Sequence, residues 1–223
     1  MTTILHLDTS VRSLCNSRES HNSISRKLAH NFRELWEMKI SNTKFIYRDL
    51  GTNPPGFINE AWIEAVFNPE EQRTAKQKSL LALSDELIDE VVSADIILLS
   101  TPMYNYGMPA SLKAWFDQVI RVNKTFTFDL SRGDFPLKAI PSGKTMVLIT
   151  SCGEFGFHAG GIRENMNHLG PHIEVASQYL GVEKFYEIRS EYQEFGDQRH
   201  EDSRNNAYAE IVNLVEKLCV MNR

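Results

Sequence analysis

The sequence is poor in three features that would have indicated particular classes of protein: cysteine, long apolar runs and basic clusters. Its three cysteines, Cys15, Cys152 and Cys219, are odd in number and widely spaced, so they define neither a disulfide framework nor a zinc site. No segment reaches the roughly 18 apolar residues of a membrane span, and the N-terminus has no basic region followed by an apolar one. We therefore expect a cytoplasmic protein with no metal site and no membrane partner.

The charge of the chain also limits its partners. Lysine and arginine number 24 against 29 acidic residues, a net charge of −5, and no lysine- or arginine-rich run stands out. This argues against nucleic acid as a partner and favours small molecules. With 223 residues and 42% hydrophobic content, the chain can bury one sizeable core. We expect residues 1–223 to form a single domain.

The most informative stretch, residues 94–117, combines a strand, a loop and a helix. Ile96–Leu99 is a continuous apolar run, typical of a strand that is covered on both faces in a parallel sheet. Pro102 ends that strand because it has no N–H to donate, and the polar-aromatic loop Met103–Gly107 follows. Ligands bind outside the carboxyl ends of such strands, so this loop is a candidate site, with a packed surface turn as the alternative. Pro109 then opens a helix with apolar residues at helical spacing: Leu112, Trp115, Phe116 and Val119.

A second candidate site follows the first predicted strand, Ile4–Leu7. A long polar loop leads into a helix with apolar residues at Ile24, Leu28, Phe32, Leu35 and Trp36. Ser10, Ser23 and Ser25 bring hydroxyls to this loop and to the start of the helix. They are either an ordinary helix cap or, with the backbone N–H groups, part of a phosphate site. The loop has neither glycine-rich nucleotide signature, which favours the phosphate of a mononucleotide.

The rest of the chain continues the alternation of strands and helices. Strands are predicted at residues 44–49, 145–150 and 185–188, and helices at 73–93, 173–180 and 208–218. Residues 59–72 show no firm period and are predicted to be a mixed connecting segment, and residues 125–136 suggest a short hairpin or an ordered flap. In the helix at 73–93 we expect one buried stripe, Leu80, Leu83, Leu87, Ile88 and Val91, and one solvated acidic face, Asp85, Glu86, Asp89 and Glu90. A glycine-rich loop, residues 151–161, follows the fourth strand.

Five such alternations predict an α/β fold with a doubly wound, five-stranded parallel sheet and helices on both faces. In the strand order 2-1-3-4-5, the first and third strands are neighbours at the switch point, where flavodoxin-like folds bind FMN. The loops after the first, third and fourth strands would then share one site.

These residues resemble the FMN-dependent NADH-azoreductases of flavodoxin-like fold, relatives of the NAD(P)H:quinone reductases. The similarity covers nearly the whole chain. It is most specific in Ala-Asp-Ile-Ile-Leu-Leu-Ser-Thr-Pro-Met-Tyr-Asn at 94–105, followed by Leu-Lys at 112–113 and Trp-Phe-Asp at 115–117. The resemblance implies that two electrons pass from NADH or NADPH through bound FMN to quinones or aromatic azo compounds by a ping-pong mechanism. The identity of the acceptor and the choice of NADH or NADPH stay open.

The resemblance also implies a set of cofactor-binding residues. The FMN phosphate would contact Ser10 and the segment Ser23, Ile24 and Ser25. The flavin ring would contact Met103, Tyr104, Asn105 and Tyr106, and also Ser151, Cys152, Gly153 and Glu154. Backbone N–H groups of Tyr104-Asn105 and Cys152-Gly153, with the Asn105 amide, would donate to the pyrimidine edge, where charge develops on reduction. Many relatives have Gly-Gly where this chain has Gly153-Glu154, a difference that bears on the acceptor.

Several alternatives remain at this point. His158 is either a proton donor to the acceptor or a surface histidine, and Cys152 is either a redox thiol or a small lining residue. The chain could instead be a flavodoxin-type electron carrier, or a flavin-free regulatory module on the same scaffold. A homodimer is expected because aromatic residues near the site would otherwise be exposed, and because members of the resembled family share their acceptor pocket between subunits. Those aromatic residues are Tyr106, Phe126, Phe128, Phe155 and Phe157.

Overall fold

A parallel sheet forms the middle layer of the protein, for which a computed structural model describes residues 1–221. The strands are β1 (Thr2–Asp8), β2 (Thr43–Asp49), β3 (Ile96–Pro102), β4 (Phe126–Phe128), β5 (Leu137–Ala139), β6 (Lys144–Ser151) and β7 (Val182–Ser190). Five of them pair in the order β2-β1-β3-β6-β7, all parallel, while β4 and β5 form a separate antiparallel pair. Counted along the main sheet alone this is 2-1-3-4-5, so the predicted fold class is confirmed.

Helices cover both faces of the sheet, as predicted. They are α1 (Ile24–Lys39), α2 (Glu60–Phe67), α3 (Ala75–Ser93), α4 (Ala110–Val119), α5 (Gly170–Gln178) and α6 (Gln198–Met221). Successive side chains of a strand point to opposite faces, and β3 divides accordingly. Ile97 and Leu99 pack with α3, α4 and α5, whereas Ile96 and Leu98 pack with α1 and α6. Both faces of the central strand are therefore buried, which explains its unbroken apolar sequence.

The register of the sheet brings three strand ends to one edge. Asp8 at the end of β1 lies beside Asp49 of β2 and Ser100 of β3, and Pro102 of β3 lies beside Ser151 of β6. The loops that follow β1, β3 and β6 therefore leave the sheet next to one another. This is the edge at which open parallel sheets bind ligands.

Two predictions about helices were wrong. Residues 60–67 form α2, which is capped by the Asn59 side chain and packs through Trp62, Ala65 and Val66 against α3. In α3, Leu80 and Leu83 are exposed. Leu81 is buried against α2 instead, and Ser84 is buried where its hydroxyl donates to the Gln118 carbonyl of α4. The other members of the predicted stripe, Leu87, Ile88 and Val91, are buried as expected.

The acidic side of α3 is only partly a solvated face. Glu86 and Glu90 both bind the guanidinium of Arg48, and the Glu90 side chain is only 16% exposed. Asp85 pairs at 2.7 Å with the fully buried Arg121. Three of these four carboxylates therefore connect α3 to neighbouring elements.

Residues 125–136 contribute to a hairpin, one of the two predicted forms: β4 pairs with β5. The last helix begins ten residues before its predicted start at Tyr208, and β7 extends the predicted strand at both ends. No helix within residues 1–221 is long and apolar enough to cross a membrane. That residues 1–223 form a single domain stays a prediction.

Candidate cofactor site at the carboxyl edge of the sheet

The predicted phosphate-binding serines lie at the start of α1. Ser23 is its N-cap, and its Oγ accepts a hydrogen bond from the Arg26 N–H at 3.3 Å. The Oγ atoms of Ser23 and Ser25 are 3.3 Å apart, and both residues are buried. Ile24 lies between them and packs its half-buried side chain on the core. Two hydroxyls thus converge at the positive end of a 16-residue helix, where an anion is favoured.

Ser10 and Thr9 approach from the end of β1. Ser10 is buried, and its Oγ accepts a hydrogen bond from the Arg12 N–H at 3.2 Å. Thr9 is fully buried, yet its Oγ1 has no hydrogen-bond partner among residues 1–221. A buried hydroxyl without a partner costs free energy, so such an oxygen is expected where a polar ligand group completes the site. The loop therefore fits the phosphate end of FMN.

The loop after β3 is a two-residue turn in a strained conformation. Tyr104 and Gly107 exchange backbone hydrogen bonds at 3.0 Å in both directions. Between them, Asn105 and Tyr106 have φ angles of 48° and 65°, the left-handed region required by a type I′ turn. The Met103 N–H donates to the Ser151 carbonyl, which ties the turn to the end of β6. Strain of this kind persists only where the surroundings hold it, and it is common at ligand sites.

Side chains link this turn to the loop after β6. The Tyr106 hydroxyl donates to Glu154 Oε2 at 3.0 Å, and Glu154 pairs with Arg163 at 3.0 Å. The hydrogen bond to Glu154 raises the pKa of the Tyr106 phenol above its usual value. Gly153 has Glu194 beside it, since an added Cβ would lie 2.8 Å from that side chain. Glu154 thus joins two of the three loops.

The predicted backbone donors divide into two pairs. The Tyr104 N–H donates to the Gly107 carbonyl and the Cys152 N–H to the Ser190 carbonyl at 2.8 Å, so both are engaged within the protein. The N–H groups of Asn105 and Gly153 have no acceptor among residues 1–221. Of the predicted backbone donors, Asn105 and Gly153 are therefore the ones that remain able to donate to a ligand.

The structure places the two ambiguous residues differently. Cys152 is 1% exposed, and burial raises the pKa of its thiol to about 12, which disfavours the reactive thiolate. This agrees with a small lining residue. His158 is exposed, with Nδ1 3.0 Å from the Ala159 carbonyl oxygen. Nothing in its contacts assigns it to proton transfer.

A buried charged network beneath the first loop was missed by the sequence analysis. Arg26 donates to Asp49 and Asp8, and the Tyr47 hydroxyl donates to Asp8 at 2.9 Å. Burial raises the pKa of Asp8, but His6, Ser100 and Arg26 outweigh it, so the pKa is lowered from its usual value. For Tyr47, burial and then Asp8 raise the pKa to about 12. The sequence feature that could have indicated this network is an aspartate at the carboxyl end of each of two strands, Asp8 in β1 and Asp49 in β2.

Comparison with known proteins agrees with this architecture. Residues 2–215 match the family model of the flavodoxin-like fold. An FMN-dependent NADH:quinone oxidoreductase 2 of Colwellia psychrerythraea is 63% identical over 218 residues, which cover 98% of this chain and 100% of that protein. The chain belongs to the flavodoxin-like family of FMN-dependent NADH:quinone oxidoreductases.

Further members of this family and related structures extend the comparison. The FMN-dependent NADH:quinone oxidoreductase 2 of Idiomarina loihiensis is 60% identical over 207 residues, covering 93% of this chain and 86% of that protein. A solved FMN-dependent NADH-azoreductase of Bacillus anthracis, in complex with FMN, superposes with a TM-score of 0.83. That comparison covers 98% of this chain and 100% of the other at 17% identity, so it shows a shared fold.

Proposed function

We propose that this protein is an FMN-dependent oxidoreductase that passes two electrons from NADH or NADPH to quinones or aromatic azo compounds. The proposal rests on one observation: two kinds of loop lie side by side at one edge of the sheet. Buried serine hydroxyls converge at a helix start beside β1, and a left-handed turn with unengaged N–H groups follows the neighbouring strand β3. The names of the close relatives support the same activity and favour it over an electron carrier or a regulatory module.

Two groups of residues would bind the two ends of the cofactor. Ser10, Ser23 and Ser25 would bind the phosphate, and Met103 to Tyr106 with Ser151 to Glu154 would line the ring. When bound, FMN supplies the two-electron chemistry, so the protein needs no nucleophile of its own. The N–H groups of Asn105 and Gly153 and the Asn105 amide would orient the pyrimidine edge and stabilise negative charge there.

The proposed kinetic mechanism rests on a single bound FMN that serves both substrates. Donor and acceptor would use the same face of the ring in turn, which predicts ping-pong kinetics. Initial-rate plots at several acceptor concentrations should be parallel, and intersecting lines would contradict this mechanism.

A homodimer is the proposed assembly, but only some of the aromatic residues that led to this prediction are exposed. Phe157 is buried. The ring centroids of Phe155 and Tyr192 are 4.3 Å apart and those of Phe126 and Tyr179 are 5.7 Å apart, so one subunit packs these rings itself. Tyr106 and Phe128 are exposed, as that prediction requires, and Phe128 belongs to an exposed apolar surface in and beside the β4–β5 hairpin, together with Leu130, Phe135, Leu137 and Ile140. A second copy of the chain is the proposed cover for this surface. Light scattering should give a dimer, and a fully active monomer would contradict it.

The function is tested by the visible spectrum and the turnover of the purified protein. We expect flavin absorption bands that bleach when NADH is added and recover when a quinone or an azo dye follows. Sustained NADH consumption with such an acceptor distinguishes the enzyme from an electron carrier, and a colourless protein that binds no FMN would refute the proposal. A cytoplasmic location stays a sequence-based prediction.

A further inference from the structure

We propose that Arg26 is a positioning residue for the FMN phosphate, which fixes Ser10 and Ser23 relative to each other without binding the phosphate itself. The inference rests on the proposed function, because it assumes that these serines hold the phosphate. It concerns a residue that lies in the first turn of α1, directly after the serine pair. Its side chain is only 6% exposed.

The guanidinium of Arg26 holds the end of β1. Its Nη2 donates to the Ser10 carbonyl oxygen at 2.6 Å, and its Nε donates to the same oxygen at 3.3 Å. Gly51 packs beside both groups, because a Cβ added there would lie 2.1 Å from that oxygen and 2.9 Å from Nη2 of Arg26. The guanidinium of Arg26 thus clamps the backbone of Ser10, and only a glycine at position 51 leaves room for this contact.

The backbone of Arg26 holds the other half of the site. Its N–H donates to Ser23 Oγ at 3.3 Å, the contact that caps α1. One residue therefore contacts both the serine at the end of β1 and the serine at the start of α1. The chain between them is mostly exposed from residue 11 to residue 21, so Arg26 is a buried link between the two serines.

The donors of Arg26 are already committed to the protein. Nη1 donates to Asp49 at 2.8 Å and to Asp8 at 3.3 Å, and Nη2 donates to Asp49 at 2.5 Å. These bonds and those to Ser10 engage every guanidinium nitrogen, which leaves a supporting role rather than direct phosphate binding. Burial lowers the pKa of Arg26, but Asp49 and Asp8 outweigh it, so the group stays charged.

Lysine cannot replace this arrangement. A planar guanidinium can bind a carboxylate in two places while it also reaches a carbonyl, whereas an ammonium is a single point charge on a flexible stem. Binding sites whose groups are held in place before the ligand arrives lose less affinity to ordering. Loss of the clamp should therefore weaken binding of the phosphate end of FMN in particular.

The test compares FMN with riboflavin, which lacks the phosphate, on the apo-protein of Arg26→Lys. The matched control is Arg33→Lys, on the same helix at a half-buried position away from the serines, where Arg33 pairs with Glu37 and lies over the Phe45 ring. Quenching of flavin fluorescence gives both dissociation constants, and the thermal midpoint reports folding. We expect Arg26→Lys to weaken FMN binding at least tenfold while riboflavin binding stays within about twofold of wild type. Arg33→Lys should change neither.

The other outcomes are equally informative. An equal loss for both ligands would make Arg26 a general structural residue and overturn the inference, as would unchanged FMN affinity. If Arg26→Lys does not fold, Asp49→Asn removes one side of the clamp and should give the same phosphate-selective loss, smaller in size. Normal FMN binding by wild type with no selectivity in either variant overturns only this inference. A wild-type protein that binds no FMN refutes the proposed function itself.

Discussion

Replacing Ser23 and Ser25 with alanine is the most direct test of the phosphate site. Each hydroxyl would make a hydrogen bond to a charged group, worth about 1.5–3 kcal/mol. Loss of both should cost about 3–6 kcal/mol of binding free energy, which raises the FMN dissociation constant by roughly 10² to 10⁴. Their Oγ atoms lie 3.3 Å apart, so one phosphate oxygen can reach both.

The geometry also separates affinity from stability. Ser23 caps α1, so Ser23→Ala alone should lower the free energy of unfolding by about 1 kcal/mol. Ser25 is not the cap, and Ser25→Ala should lower FMN affinity with little change in stability. Thr74→Ala is the matched control, because Thr74 caps α3 in the same way and lies outside the site. It should cost similar stability and leave FMN affinity unchanged.

Two measurements decide the outcome. Fluorescence titration of the apo-protein gives the FMN affinity, and urea unfolding gives the stability of each variant without the cofactor. Added FMN should also stabilise the wild type more than the double variant, because a ligand stabilises the state to which it binds. A folded Ser23→Ala, Ser25→Ala protein that binds FMN as tightly as wild type would refute the assignment of these serines.

Three further predictions concern Gly51 and Tyr106, which lie at the site, and Lys144, which lies at the opposite end of β6. Gly51→Ala should destabilise the fold and weaken FMN binding, because the added Cβ would lie 2.1 Å from the Ser10 carbonyl oxygen. Gly56→Ala is the control, since a Cβ there meets nothing within 4 Å, and melting curves and FMN titrations compare the two variants. Lys144, which donates to two carbonyls at the end of α3, has a pKa lowered by burial. Stability should therefore rise with pH from the folded pKa towards about 10.4, the value in the unfolded chain, and Lys144→Met should abolish that rise in urea titrations and cost about 1–3 kcal/mol. Glu154→Gln should lower the pKa of Tyr106, measured by NMR of labelled tyrosine, and an unchanged pKa would contradict the link.

The parts of the fold that could be predicted are segments in which every residue indicates the same environment, such as burial on both faces of a strand. Ile96–Leu99 is buried on both sides, so its apolar run needs no knowledge of the neighbouring strands. Helix α2 was missed because eight residues are too few for a clear period, and because Ile63 and Phe67 are exposed among the buried Trp62 and Val66. Asn59 was the usable signal, since asparagine is a preferred N-cap.

The candidate site shows the same limit. Ser23 and Ser25 are close in sequence and at a helix start, so their grouping could be predicted from local chemistry. Arg26 and Asp49 belong to different elements. The register of β1 and β2 brings Asp49 beside Asp8, and the packing of α1 brings Arg26 to both. The turn at Asn105 was predicted as a loop, but its left-handed backbone could not be predicted, because neither Asn105 nor Tyr106 is a glycine.

That turn has a consequence for anyone who would engineer this protein. A type I′ turn prefers glycine at its second position, and here that position is Tyr106, held at a φ of 65°. Glycine would relieve roughly 1 kcal/mol of backbone strain but would delete the ring and its bond to Glu154. In the free energy of unfolding, this relief is set against the lost contacts and the greater conformational freedom of glycine in the unfolded chain. We therefore expect Tyr106→Gly to change the melting temperature little and to lower turnover, so that engineering this turn for stability would gain little and cost activity.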